Sequence, residues 1–280
     1  MLTPPDLISL PCTPDLVGSG IACACRSLAQ PGHHNGSSIF DNLRLTVAEV
    51  VVELAFRRHL AETGVPFGVF GSAPFTDPDH YDVSLGGHRC ILETSLVPRR
   101  ADIHLVRSAP ASLLAAPALV PLEEFSASEG KPDDIHLFAF LLGLVAASRR
   151  DVDLAKAAGQ PLALVHPLPS AWRRPTPWVP LETPALKSEG GQPLTLDLYG
   201  QDADRNIITR TIELPPHQRT PVPGDFYSLL CLRMNQPPSV RIGIHSPTRG
   251  EAHIMQPYDW GNLWVYGMTI LLTGWLTREN

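Results

Sequence analysis

The residues best suited to chemistry sit in one string, HYDVSLGGHRCILETSLVPRR, residues 80–100. Asp82 and Glu93 lie on either side of the pair Gly86–Gly87. A tight turn at the two glycines would fold the string into a hairpin and bring both carboxylates to one end of a sheet. Two carboxylates, with the backbone carbonyl of Thr94 as a further donor, make a hard oxygen site that suits Mg2+, with Mn2+ as a substitute. An ion held there could polarise a phosphate ester and lower the pKa of an attacking water. Asp82 could equally be an ordinary exposed strand or turn residue. Glu93 is harder to explain that way, because a carboxylate in a buried strand needs a partner or a metal.

The hairpin strands are expected over Tyr81–Ser84 and His88–Ser95. Upstream, TVAEVVVELAFRRHLAETG predicts a helix with Thr46 as N-cap, Glu49 completing a capping box and Gly64 as the stop. Val47, Val50, Val51, Leu54 and Leu60 form its apolar stripe. A strand is expected at PFGVF, residues 66–70, and another at Asp102–Arg107. A helix from Asp133 or Asp134 to about Arg150 follows, apolar nearly all round, and then a short helix, DVDLAKAA, ending at Gly159. Residues 160–192 read as an extended, proline- and tryptophan-rich excursion. Strands are expected at Leu194–Tyr199, Ile207–Leu214, Phe226–Arg233, Val240–His245 and Leu263–Leu276. Residues 1–44 read as an irregular arm, and 45–280 as one domain with an insertion around 108–224, a split near residues 160–190 being the alternative.

The order helix, strand, Asp-bearing strand and strand ending in Glu-x-Ser resembles the PD-(D/E)XK, or restriction-endonuclease-like, nuclease superfamily. The later strings DFYSLLCLRM and GWLTREN resemble the tail of some nucleases of this type. The resemblance covers roughly residues 46–107 and 225–280. It implies an α/β fold with a central mixed sheet flanked by helices, here with proline-rich extensions. It places Glu49 at the helix glutamate, Asp82 and Glu93 at the metal-binding acids, and Ser95 where the catalytic lysine would stand. Arg99 or Arg100 would contact phosphate, although an arginine cannot act as a base. The implied activity is Mg2+-dependent cleavage of DNA, in defence against foreign DNA including viruses, in repair or in mobile-element processing. With serine in place of lysine, the alternative is an inactive nuclease-fold subunit, a scaffold or interaction module with protein partners in a nucleoprotein complex. An unrelated α/β binding protein is the third reading.

Composition constrains these readings. The net charge is −6, so no overall basic surface draws the 280-residue chain to nucleic acid, and a local groove would have to do so. The arginine pairs at 57–58, 99–100, 149–150 and 173–174 could line one, or could be solvated helix ends and loops. The 29 prolines imply stiff, extended connections. The five cysteines follow no disulfide framework. Cys12, Cys23, Cys25, His33 and His34 lack the close cysteine pairing of structural zinc, so zinc is not expected. The N-terminal sequence has no secretory pattern, and the apolar stretch Leu263–Leu276, broken by Gly267 and Gly274, is too short to span a bilayer. A reduced, cytoplasmic setting without membrane association is the expectation.

Overall fold

A computed structural model of the chain describes residues 7–30, 38–69, 83–115, 133–263 and 265–276. In chain order the elements are β1 (Ile8–Pro11), α1 (Pro14–Ser27), α2 (Ile39–Glu62), β2 (Phe67–Gly68), β3 (Val83–Leu85), β4 (His88–Val97), α3 (Arg100–Ser108) and β5 (Ile135–Val145). They continue with α4 (Arg149–Ala157), β6 (Leu164–Pro167), β7 (Ala185–Ser188), β8 (Leu194–Gln201), β9 (Ile207–Leu214) and β10 (Arg219–Pro221). The last are β11 (Ser228–Met234), β12 (Ile242–His245), β13 (His253–Met255), β14 (Gly261–Asn262) and β15 (Val265–Leu276). The protein is thus α/β, with a mixed sheet flanked by a few helices.

Two compact units replace the expected single domain with an insertion. One comprises Met1–Gly20, Leu45–Val145 and Val265–Asn280; the other comprises Ile21–Arg44 and Ala146–Trp264. The irregular arm expected over residues 1–44 is also corrected, since it contains β1, α1 and the start of α2.

The first unit holds a six-stranded sheet in the order β1-β15-β5-β4-β3-β2. Among its described strands only β4 and β5 run parallel. Alternation puts Leu10, Ile270, Leu272, Ala139, Leu141, Cys90 and Val83 on one face, all buried. On the other face, Leu142 and Leu271 form a small core with Val106 of α3 and with Leu113, and Val97 and Phe140 pack against it. The close approach of α1 to α2 depends on Gly20, where a Cβ would lie 2.9 Å from the Val47 carbonyl oxygen.

Three local expectations change. The helix expected from Asp133 or Asp134 is instead mostly β5. IHLFAFLLGLV carries buried apolar side chains on both faces, Ala139 and Leu141 on one and Leu142 on the other, which produces a continuous apolar run rather than an alternating one. Asp102–Arg107 lies in α3, not a strand; its buried residues Ile103 and Val106 are three apart, the helical spacing. Finally, α2 begins before Thr46. The Ser38 hydroxyl accepts from Asp41 N–H at 3.1 Å, so the working cap is Ser38 and Glu49 lies inside the helix. The capping role read for Glu49 is therefore withdrawn. The far end matches expectation. Gly64 has φ +69°, and Val65 N–H and Gly64 N–H donate to the carbonyls of Leu60 and Ala61 in a Schellman closure.

The second unit contains two antiparallel sheets, β14-β6-β11-β8-β9 and β10-β7-β12-β13. Leu229 to Leu232 of β11 are buried on both faces of the strand. Gly200 is required opposite them, because a Cβ there would come 2.5 Å from the Phe226 ring and from the Ser228 carbonyl. α4 begins with a capping box between Ser148 and Asp151 and ends at Gly159, φ +66°.

Candidate active site

The hairpin forms as its glycines require. Gly86 and Gly87 have φ of +58° and +89°, Leu85 pairs with His88, and Val83 pairs with Cys90. Asp82 immediately precedes β3 and lies outside the described residues.

Glu93 sits on β4, on the face that also carries Ile91, Ser95 and Val97. Its side chain is only 12% exposed, and Oε1 lies 2.7 Å from Nδ1 of His136, itself 7% exposed. The parallel register sets Ile91 beside His136 and Glu93 beside Phe138, so the contact runs diagonally between strands on one face. A second pair lies on the same face. Arg89 of β4 and Asp134, just before β5, are 8% and 3% exposed. The guanidinium grips the carboxylate with both Nε, at 2.7 Å, and Nη2. His88 and Asp133 add an exposed contact at 3.2 Å. The beginnings of β4 and β5 are thus joined by three acid–base contacts. A buried charge is tolerated when it is paired in this way.

The sequence reading missed His136, Arg89 and Asp134. One signal was present: His136 is the only ionisable residue in IHLFAFLLGLV.

Of the other named residues, Thr94 and Ser95 follow Glu93 on β4. The donor expected of Thr94 is its backbone carbonyl; its side chain points to the face opposite Glu93, where Oγ1 is buried with no hydrogen-bond partner among the described residues. Ser95 is exposed on the Glu93 face. Arg99, with extended φ and ψ, caps α3 without a side-chain hydrogen bond, and Arg100 begins that helix. Arg99 is six residue steps from Glu93, roughly 20 Å at the strand rise and beyond the reach of an arginine side chain. Glu49 is half-buried on α2.

Among the described residues, no three His, Cys, Asp or Glu side chains are placed to hold a metal. Of the cysteines and histidines weighed for zinc, His33 and His34 lie outside the described residues. Cys25 is buried, and burial together with Asp15 pushes the Cys12 thiol up to about 12.

The second unit has its own polar centre. His166 of β6 and His253 of β13 bring their Nε2 atoms to 3.0 Å, and His166 Nδ1 lies 3.2 Å from the Asp259 carbonyl. Because a carbonyl only accepts, Nδ1 carries the proton, His166 Nε2 accepts and His253 Nε2 donates. Burial lowers the pKa of both rings, with His253 adding to the effect on His166. Trp260, its ring 5.7 Å from His166, also lines a cavity of about 440 Å³ with Phe40, Arg44, Asp153 and Asn262.

No protein family, curated protein or solved structure matches this chain. Its function has to be argued from its own geometry. No described helix is long and apolar enough to cross a membrane.

Proposed function

We propose that this protein acts on nucleic acid through a restriction-endonuclease-like site centred on Glu93, as a metal-dependent endodeoxyribonuclease. The observation that carries the reading is the enclosed, oriented carboxylate on the second strand of the Gly86–Gly87 hairpin. An acid used only for solubility has no reason to be 12% exposed and tied to a histidine.

The donor set suits Mg2+ in kind. Glu93 supplies a hard carboxylate oxygen, with Oε1 engaged by His136 and Oε2 remaining. Asp82, one residue before β3, is proposed as the second carboxylate. His136 acts on the carboxylate's orientation, as outer partners of metal-binding acids do. The contribution of a bound ion would be to polarise the phosphate and acidify the attacking water.

A second reading, the inactive nuclease-fold subunit, is favoured by Ser95. This neutral, exposed side chain stands where the resemblance expects a lysine, and Arg99 is roughly 20 Å of chain away.

Cleavage of plasmid and single-stranded DNA with Mg2+ or Mn2+ separates the two. The nuclease reading expects metal-dependent cutting that is lost in Asp82→Asn and Glu93→Gln. Absence of cutting by the pure wild type at high enzyme concentration would sink it in favour of the subunit reading.

A further inference from the structure

We propose that the outward face of the four-stranded sheet in the second unit binds the sugar–phosphate backbone of nucleic acid. The proposal rests on the nucleic-acid reading above and names the surface that would grip the substrate.

Alternation divides this sheet cleanly. Leu186, Ser188, Ile242, Ile244 and Met255 point inward and are buried, while Lys187, Arg219 and Ile254 are exposed. The register places Arg219 opposite Lys187, Lys187 opposite Gly243, and Gly243 opposite Ile254, a row running straight across four strands. Arg241, immediately before β12, lies two residues from Gly243, and its Nε donates to Glu189 at 2.8 Å. Together these residues line a shallow depression of about 170 Å³. Gly243 forms its floor, since a Cβ there would come 3.0 Å from Ile254 Cδ1.

The charge on this face runs against the rest of the molecule. Lys187, Arg219 and Arg241 outnumber the single carboxylate of Glu189, in a chain of net charge −6. Folding also sets two cations, Arg219 and Lys187, directly opposite each other on neighbouring strands about 4.8 Å apart. Like charges in that position destabilise a sheet, and an anion between them would relieve the repulsion. A nucleic-acid backbone offers a repeating row of such anions, and phosphate contacts made this way are independent of sequence. Ile254 is the only large apolar side chain in the row, so the face lacks the apolar surface with which a peripheral protein enters a bilayer.

The test is fluorescence anisotropy of labelled single- and double-stranded DNA with the full chain, in EDTA and across a salt series. Poly-glutamate serves as competitor. Wild type is expected to bind. The Lys187→Glu/Arg219→Glu double variant should bind at least about 10-fold more weakly at low salt, with a shallower slope of log affinity against log salt, by about two. Lys187→Arg should keep wild-type affinity. Equal binding by the double variant and wild type, no binding by wild type, or displacement by poly-glutamate as readily as by unlabelled DNA would each overturn the proposal. Cutting assays on the same variants keep the two ideas apart. A wild type that cuts while the double variant binds and cuts equally well leaves the Glu93 reading intact and removes this one. A wild type that binds through this face without cutting does the reverse.

Discussion

The six-stranded and four-stranded sheets treat charge in opposite ways. On the first, Arg89 with Asp134 and His136 with Glu93 are buried, each cation or ring paired with a carboxylate between two parallel strands. On the second, Arg219 and Lys187 are exposed and face each other with like charge. The first arrangement fixes geometry: a buried acid whose partner is set by register points in one direction only. The second leaves charge unsatisfied at the surface, which suits a partner that arrives from solution. Positioning and gripping thus call for different burial and different pairing.

The largest effect should come from breaking a buried pair. Asp134→Ala leaves the Arg89 guanidinium enclosed without its carboxylate and should cost about 3–5 kcal/mol in urea unfolding. Arg89→Met combined with Asp134→Leu should recover most of that loss; if the double variant is as unstable as the single, pairing does not explain the site. His136→Ala should cost about 1–3 kcal/mol, because a hydrogen bond to a charged group is lost inside the sheet. Ser38→Ala removes the cap of α2 and should cost about 1 kcal/mol, whereas Thr46→Ala, inside the helix, should cost less. The smallest effect is expected on the exposed face. Arg219→Ser should stay within about 0.5 kcal/mol of wild type or be slightly stabilising, while lowering DNA affinity. A large loss of stability there would mean that the cations hold the sheet together.

The histidine pair gives a pH test that neither sheet's charge pattern predicts. The folded-state pKa values of His166 and His253 are lowered, chiefly by burial. The unfolded chain therefore binds more protons than the folded one once pH drops below the ordinary histidine value of about 6.5. The stability associated with these neutral rings is present above that value and is lost as pH falls toward their folded values. Tm measured from pH 8 down to pH 5 should decline more steeply for wild type than for His166→Phe/His253→Leu. Parallel curves would refute the assignment.

Four of the nine described strands of the second unit could be read directly from the chain. Ile207–Leu214 is found with the bounds expected of it, β8, β11 and β12 fall within a few residues of theirs, as does β15 of the first unit, whereas β6 and β7 lie in the stretch read as an extended excursion. The Gly86–Gly87 turn and the stops at Gly64 and Gly159 were also legible, because each rests on a backbone conformation that glycine supplies locally. The start of α2 was not. Ser38…Asp41 and Thr46…Glu49 offer the same signal, and choosing between them depends on whether residues 39–45 are helical, as the buried Leu43 and Arg44 show they are. The candidate site was half legible. Glu93 followed from the motif, but its partner lay in a segment read as helix.

By itself, then, the sequence determined the features governed by neighbouring residues: turn chemistry, helix stops, the strands β8, β9, β11 and β12 with β15, and one acidic residue in a strand with a chemical reason to be there. Tertiary structure decided what depends on distant partners. β5 is a strand because β4 and β15 cover both its edges; an apolar run without a period contains no such information. His136 meets Glu93, 43 residues earlier in the chain, only because β4 and β5 run parallel in one register; a slip of one residue would send either side chain to the opposite face. The row of Arg219, Lys187 and Gly243 likewise exists only across strands, since no spacing along the chain reveals which residues a sheet will bring side by side.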